Sequence, residues 1–291
     1  MKIVIPAAGA GSRFLPTSRV VPKELLPLGI KPLIHHALEE AERAGFTAAF
    51  IVVSPQKRVM RTYFEQEPRL EQLLEVRGDY ASLELVREAA AIAARLHLTF
   101  VEQPQPLGLG DAVLRCRQAA GEKFAVLLPD DVVTGSAHWS QLRRLEEQTG
   151  AACLCVRPVS PDQAHRFGIA VCEATEGRLR VRELVEKPAR GTAQSTLSIF
   201  GRYVVTGPVL DALEGFTARS QAELQLTDGF AAVLEQPPGV LAVQFTAEFF
   251  DSGTPEEYAR SMARYAAGVT DQWTIREKAQ QRLALSQIGL D

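Results

Sequence analysis

The sequence is short of the features that mark several large protein classes. It holds four cysteines in 291 residues, Cys116, Cys153, Cys155 and Cys172, with no CxxC pair. That argues against a disulfide framework or zinc ribbon and fits buried thiols in a reducing compartment. The five histidines do not fall at metal spacing: His35 and His36 are adjacent on an expected helix, so their side chains diverge. No apolar run reaches the ~20 residues of a membrane span, and the N-terminus enters strand-like sequence with no signal peptide. A cytoplasmic location without a membrane partner is expected. Charge of one sign is not in excess: 32 Lys and Arg oppose 35 Asp and Glu, so nothing draws the chain as a whole toward nucleic acid. Repeats and low-complexity tracts are absent.

What is present is an ordinary apolar share, 46%, arranged in short runs. "KIVIPA", "AAFIVVS", "LTFVEQ" and "FAVLLPDD" read as strands, the second a continuous apolar run of the kind buried on both faces of a parallel sheet. "PLIHHALEEAERAG" reads as an amphipathic helix closed by Gly45, and "GLGDAVLRCRQAA" as another. The charged stretch from about Gln56 to His97 is helical in pattern and looks inserted. After Gly150 the pattern turns to strands with few helices between them, including "AACLCVRPV", on which Cys153 and Cys155 share one face. An α/β fold with a mostly parallel mixed sheet flanked by helices is expected. The expected organisation is one domain over residues 1–267, with a nucleotide-binding half (1–150) and a substrate-binding half (151–267). A C-terminal helical extension, 268–291, is a candidate oligomer contact.

The first loop, "PAAGAGSRFLP", follows a strand and carries Gly9 and Gly11. It lacks the Gly-Lys-Ser/Thr end of a Walker loop, and Phe14 stands where a dinucleotide fingerprint needs a third glycine. The first 31 residues hold Lys2, Arg13, Arg19, Lys23 and Lys31 against the single acid Glu24. A glycine loop offering backbone N–H groups, with an arginine fork and a lysine point charge, suits a polyphosphate.

Ligands of parallel sheets sit at the carboxyl ends of strands. Asp130 and Asp131 end an apolar strand, where carboxylates commonly hold Mg²⁺ on phosphates. Side chains alternate along a strand, so one of the two is expected to reach the metal. Asp251, in "FFDSGT", is a candidate partner ligand or an ordinary turn aspartate. Glu186 and Lys187 in "VEKP" can bind a sugar hydroxyl and a phosphate together. In "EQPQPLGLGDAV", Gly108 permits close backbone approach and the Gln103 amide suits the edge of a base.

In this order, "GAGSRFLP", "PKELLP", "GLGDAV", "LPDD", "FGIA", "VEKP", "GRYV", "ELQLTD" and "DSGT" resemble the sugar-nucleotide pyrophosphorylases, from about Met1 to Ala266. The resemblance implies a Rossmann-like nucleotidyltransferase fold, Mg²⁺ as cofactor, and commonly a homodimer or homotetramer. It implies transfer of a nucleotidyl group from UTP to glucose 1-phosphate, with dTTP as the alternative nucleotide. A non-catalytic sugar-nucleotide-binding protein on the same fold is a further alternative. Carried over by position, Arg13 and Lys23 handle the triphosphate, and Ala8, Gly9, Gln103 and nearby Gly108 meet the nucleoside. Gly168, Glu186 and Lys187 meet the sugar phosphate, and Asp130 and Asp251 the metal. The reaction so implied needs no catalytic histidine, because the attacking phosphate oxygen is already ionised.

Overall fold

The computed structural model describes residues 1–217 and 223–268. The expected extension beyond residue 268 lies outside the described residues. The first half runs β1 (Lys2–Pro6), the short strands β2 (Pro27–Leu28) and β3 (Lys31–Pro32), α1 (Leu33–Arg43) and β4 (Ala49–Val53). It continues through α2 (Val59–Tyr63), α3 (Pro68–Val76), α4 (Tyr80–Arg95), β5 (Thr99–Glu102), α5 (Leu109–Leu114) and α6 (Arg117–Ala120). β6 (Phe124–Leu127), β7 (Asp131–Val133) and α7 (Ala137–Thr149) complete it. The second half contains β8 (Ala152–Pro158), β9 (Gly168–Thr175), β10 (Arg178–Glu186), β11 (Leu197–Val205), α8 (Gly207–Thr217), α9 (Leu226–Ala232), β12 (Val240–Gln244), β13 (Phe249–Asp251) and α10 (Pro255–Gly268).

Nine strands form one sheet in the order β5-β4-β1-β6-β11-β8-β12-β10-β9. The first four are mutually parallel, and only β11 and β10 run against the rest. Strand residues alternate between two apolar layers. Ile3, Ile5, Ile51, Leu127, Cys153 and Cys155 face α1, α4 and α7. Val4, Val52, Val126, Leu154 and Ala242 face α5, α8 and α9. Both layers draw on both halves of the chain, so the sheet is buried on two faces, as its continuous apolar runs require. The insertion between β4 and β5 is helical, as its pattern predicts.

Two local expectations differ. "GLGDAVLRCRQAA" is two short helices, α5 and α6, separated at Arg115–Cys116. The strand before the two aspartates ends at Leu127, and Asp131 opens a new strand, β7.

β1 sits at the point where the chain order reverses: β4 and β5 lie on one side of it and β6 on the other. The carboxyl ends of β1 and β6 lie side by side there, on the edge where ligands of such sheets bind. Among the described residues no helix is long and apolar enough to cross a membrane.

Candidate active site

A cavity of about 520 Å³ lies beside the carboxyl end of β6 and is lined also by residues of β9, β10 and β11. Arg13, Asp130, Gly168, Glu186, Lys187 and Asp251 all line it, although they come from five separate segments.

Arg13 lies in a short 3-10 turn, Ser12–Phe14, entered through Gly11 in the left-handed region at φ 66°. A side chain at Gly11 would also crowd Ser18 at 3.1 Å. That turn leaves Arg13 exposed, and one Nη1–H donates weakly to the Gly253 carbonyl at 3.4 Å. Lys23 closes the same loop, and its Nζ donates to Asp130 Oδ2 at 2.7 Å. Burial works against the ammonium charge, but Asp130 and Glu24 hold its pKa above the ordinary lysine value. Burial likewise opposes the Asp130 carboxylate, and Lys23 keeps it below the usual range. Of the basic cluster noted in the sequence, only these two reach the site. Lys2 donates to the Ala119 carbonyl, Lys31 pairs with Glu39, and Arg19 is exposed.

The carboxylates are gathered by β7 and β13, which pair antiparallel so that Asp131 stands opposite Asp251. Asp130 and Asp131 both line the cavity, against the expectation that one would turn away. Strand alternation fails because residues 128–130 are not strand. Burial, with Asp130 and Asp251 alongside, pushes the Asp131 carboxyl up to about 8. Burial and Asp130 also raise that of Asp251, though the Gly253 N–H bonded to Oδ1 at 2.8 Å opposes this. Carboxylates forced together in this way favour a cation between them. No three His, Cys, Asp or Glu side chains among the described residues converge as a metal cage. A divalent cation held by one or two carboxylates, with its shell filled by water and substrate phosphate, is the kind of metal such a site could take. Asp130 and Asp251 would hold it.

A buried framework fixes this wall. Arg202, fully buried on β11, donates through Nε and Nη2 to Glu40 at 3.0 and 2.5 Å. Its Nη1 and Nη2 also reach the carbonyls of Leu128 (3.2 Å) and Asp131 (2.6 Å), bracketing the Asp130 turn. His138 and Trp139 bond the same Glu40 carboxylate. Beneath the glycine loop, Lys57 donates to Glu24 and to the Ala7 carbonyl, both at 2.7 Å, tying together the two ends of the loop.

The opposite wall comes from the second half. Gly168 faces Glu186 across the β9–β10 ladder, and a Cβ there would meet Glu186 Oε2 at 3.0 Å and Ile199 Cδ1 at 3.1 Å. Lys187 sits in the left-handed region at φ 46°, with its N–H on the Phe167 carbonyl and its Nζ 3.4 Å from Glu186.

Ala8, Gly9, Gly11, Lys23, Gln103 and Gly108 are not in the cavity wall, and Lys23 touches it only through Asp130. Gln103 is buried and its Nε2 is already donated to the Gly108 carbonyl (3.0 Å) and Asp111 (2.7 Å), which leaves its oxygen as acceptor. Gly108 is packed on the Leu224 backbone, and a Cβ there would lie 2.2 Å from the Leu224 oxygen. Sequence reading missed Arg157, His165 and Arg166, all at the cavity. His165, passed over on spacing, has a buried Nδ1 with no partner among the described residues.

A family model described as nucleotidyl transferase matches residues 2–268. The UTP–glucose-1-phosphate uridylyltransferase of Staphylococcus haemolyticus is 38% identical over 91% of this chain and 92% of its own length. That of Bacillus subtilis is 40% identical over 87% and 86%. A UDP-glucose pyrophosphorylase solved with UDP-glucose superposes with TM-score 0.78 at 30% identity, covering 92% and 98% of the two chains. The UTP-bound enzyme of Acinetobacter baumannii gives 0.81 at 32% identity, covering 97% and 98%.

Proposed function

The chain belongs to the nucleotidyl transferase family, and from that premise we propose that it transfers the uridylyl group of UTP to α-D-glucose 1-phosphate, giving UDP-glucose and pyrophosphate. What carries the reading is the one cavity in which Arg13, Asp130, Asp251, Glu186 and Lys187 converge. The two-sided distribution of its charges supports a reaction between two anions. The relatives and structures named above carry UTP or UDP-glucose in their names, which supports UTP over dTTP.

The incoming phosphate oxygen is ionised at neutral pH and needs no general base. What the protein must supply is alignment and charge neutralisation. Lys187 and Glu186 hold the sugar phosphate, with the ammonium on the phosphate and the carboxylate on a sugar hydroxyl. Gly168 keeps that surface open to the sugar. Arg13, which has almost no protein partner, takes up the charge of the departing pyrophosphate. Lys23 neutralises the triphosphate and keeps Asp130 ionised. Ala8, Gly9, Gly11, Gly108 and the free oxygen of Gln103 receive the nucleoside beside the cavity. Mg²⁺ on Asp130 and Asp251 would supply further neutralisation of the phosphate oxygens.

The test is product identification. Incubation with UTP, glucose 1-phosphate and Mg²⁺ should yield UDP-glucose and pyrophosphate in equal amounts, and chelation with EDTA should stop it. Absence of UDP-glucose with Mg²⁺ present would contradict the reading.

A further inference from the structure

Arg157 is a cation that the mechanism above does not use. It leaves β8 just beyond the buried "CLCV" run and lines the cavity. Its guanidinium packs on two aromatic rings, 5.0 Å from the centroid of Phe167 and 4.7 Å from that of Phe249. Among the described residues it makes no side-chain hydrogen bond and no ion pair. The neighbouring cations differ. Arg166 is bridged to Glu257, and Lys187 lies against Glu186.

The two rings locate it. Phe167 immediately precedes Gly168, and its carbonyl accepts the Lys187 N–H, so Arg157 rests on the sugar-phosphate wall. Phe249 begins the strand that ends in Asp251, so Arg157 also rests on the carboxylate wall. Its charge is felt by both Asp131 and Asp251. Arg157 thus occupies the seam where a sugar phosphate would meet the metal carboxylates. Packing on the two rings pre-pays the entropy of a long side chain and leaves the planar fork free for bidentate contact with phosphate.

On the reading that this cavity joins a nucleotide to a sugar phosphate, we propose that Arg157 binds the phosphate of glucose 1-phosphate, acting beside Lys187. A charge-assisted fork of this kind contributes selectively to one substrate.

Arg157→Gln is measured in both directions of the reaction. The KM for glucose 1-phosphate should rise about 10- to 100-fold while the KM for UTP stays within about threefold. In the reverse direction the KM for UDP-glucose should rise while that for pyrophosphate holds. Arg157→Lys, which keeps the charge and loses the fork, should give the same pattern with a smaller shift, and supplies the comparison if the Gln variant does not fold. A rise in the KM for UTP or pyrophosphate instead would overturn the assignment. So would unchanged constants with only a lower melting temperature, since an aromatic staple alone predicts that result. Wild-type protein inactive in both directions would instead sink the reading on which the inference rests.

Discussion

The two walls of the cavity are built on different principles. The first-half wall, carrying Asp130, is anchored by charges removed from water, Glu40 with Arg202 and Glu24 with Lys57, and by the half-buried pair of Lys23 with Asp130 itself. The second-half wall presents Glu186 and Lys187 largely to solvent, in a loose pair. Buried pairs hold backbone positions and are costly to break, whereas exposed ones cost little and can exchange partners for a ligand. On the proposed reading, the fixed wall takes metal and triphosphate and the open wall takes the sugar phosphate. Substitutions should separate along the same line.

The largest effect is expected at Glu40→Ala, which leaves Arg202 buried without its partner. Unfolding stability should fall by about 3–5 kcal/mol in denaturant titration. Turnover should fall as well, because Arg202 also holds the Leu128 and Asp131 carbonyls. Stability within about 1 kcal/mol of wild type would mean that the framework does not anchor this wall.

Next is Arg13→Ala, which touches the same wall where it meets ligand. Turnover should drop ~10²–10³-fold, the loss typical of one preorganised charge contact. The melting temperature should hardly move, since the side chain has one weak bond. Near-full turnover would remove Arg13 from the reaction.

Acid should separate a His35 variant from the wild type. Burial lowers the His35 pKa to about 4, against the opposing charge of Glu39. A histidine with a depressed folded value stays neutral while the unfolded chain takes up a proton below about 6.5. The His35 contribution to stability should therefore fall as pH drops from about 6.5 toward 4, by on the order of 2–3 kcal/mol, read as the difference between wild type and His35→Gln, because the raised Asp131 carboxyl shifts stability the other way over the same range. His35→Gln should lack this slope. A slope unchanged in the variant would assign it elsewhere.

The smallest effect is expected on the open wall. Lys187→Ala should raise the KM for glucose 1-phosphate about tenfold and leave stability unchanged, because the residue has only an exposed pair to lose. A large stability loss would erase the contrast between the walls.

Much of this site is legible in the sequence, because its residues fall in short local motifs. Asp130, Glu186, Lys187 and Asp251 stand at or just past the ends of strand-like runs, and Arg13 in the glycine loop after the first strand, where the pattern itself marks the ligand side of a sheet. What stays hidden depends on pairing between distant segments. Asp131 faces Asp251 through a ladder joining stretches far apart in the chain, so nothing local indicates that both neighbouring aspartates reach one cavity. Arg202 reads as an ordinary polar residue in a strand, and only the crossing of α1 places Glu40 against it. Arg157 follows a buried run with no turn signal, and its aromatic neighbours come from two other segments. The basic bias of the first 31 residues was a poor guide, since burial and helix contacts send Lys2 and Lys31 elsewhere.

The most direct test of the central claim is the initial rate of pyrophosphate release with glucose 1-phosphate and Mg²⁺, measured across UTP, dTTP, ATP, GTP and CTP. The account predicts the highest rate with UTP and dependence on both the sugar phosphate and the metal. Release with none of the five, or with dTTP alone, would contradict it.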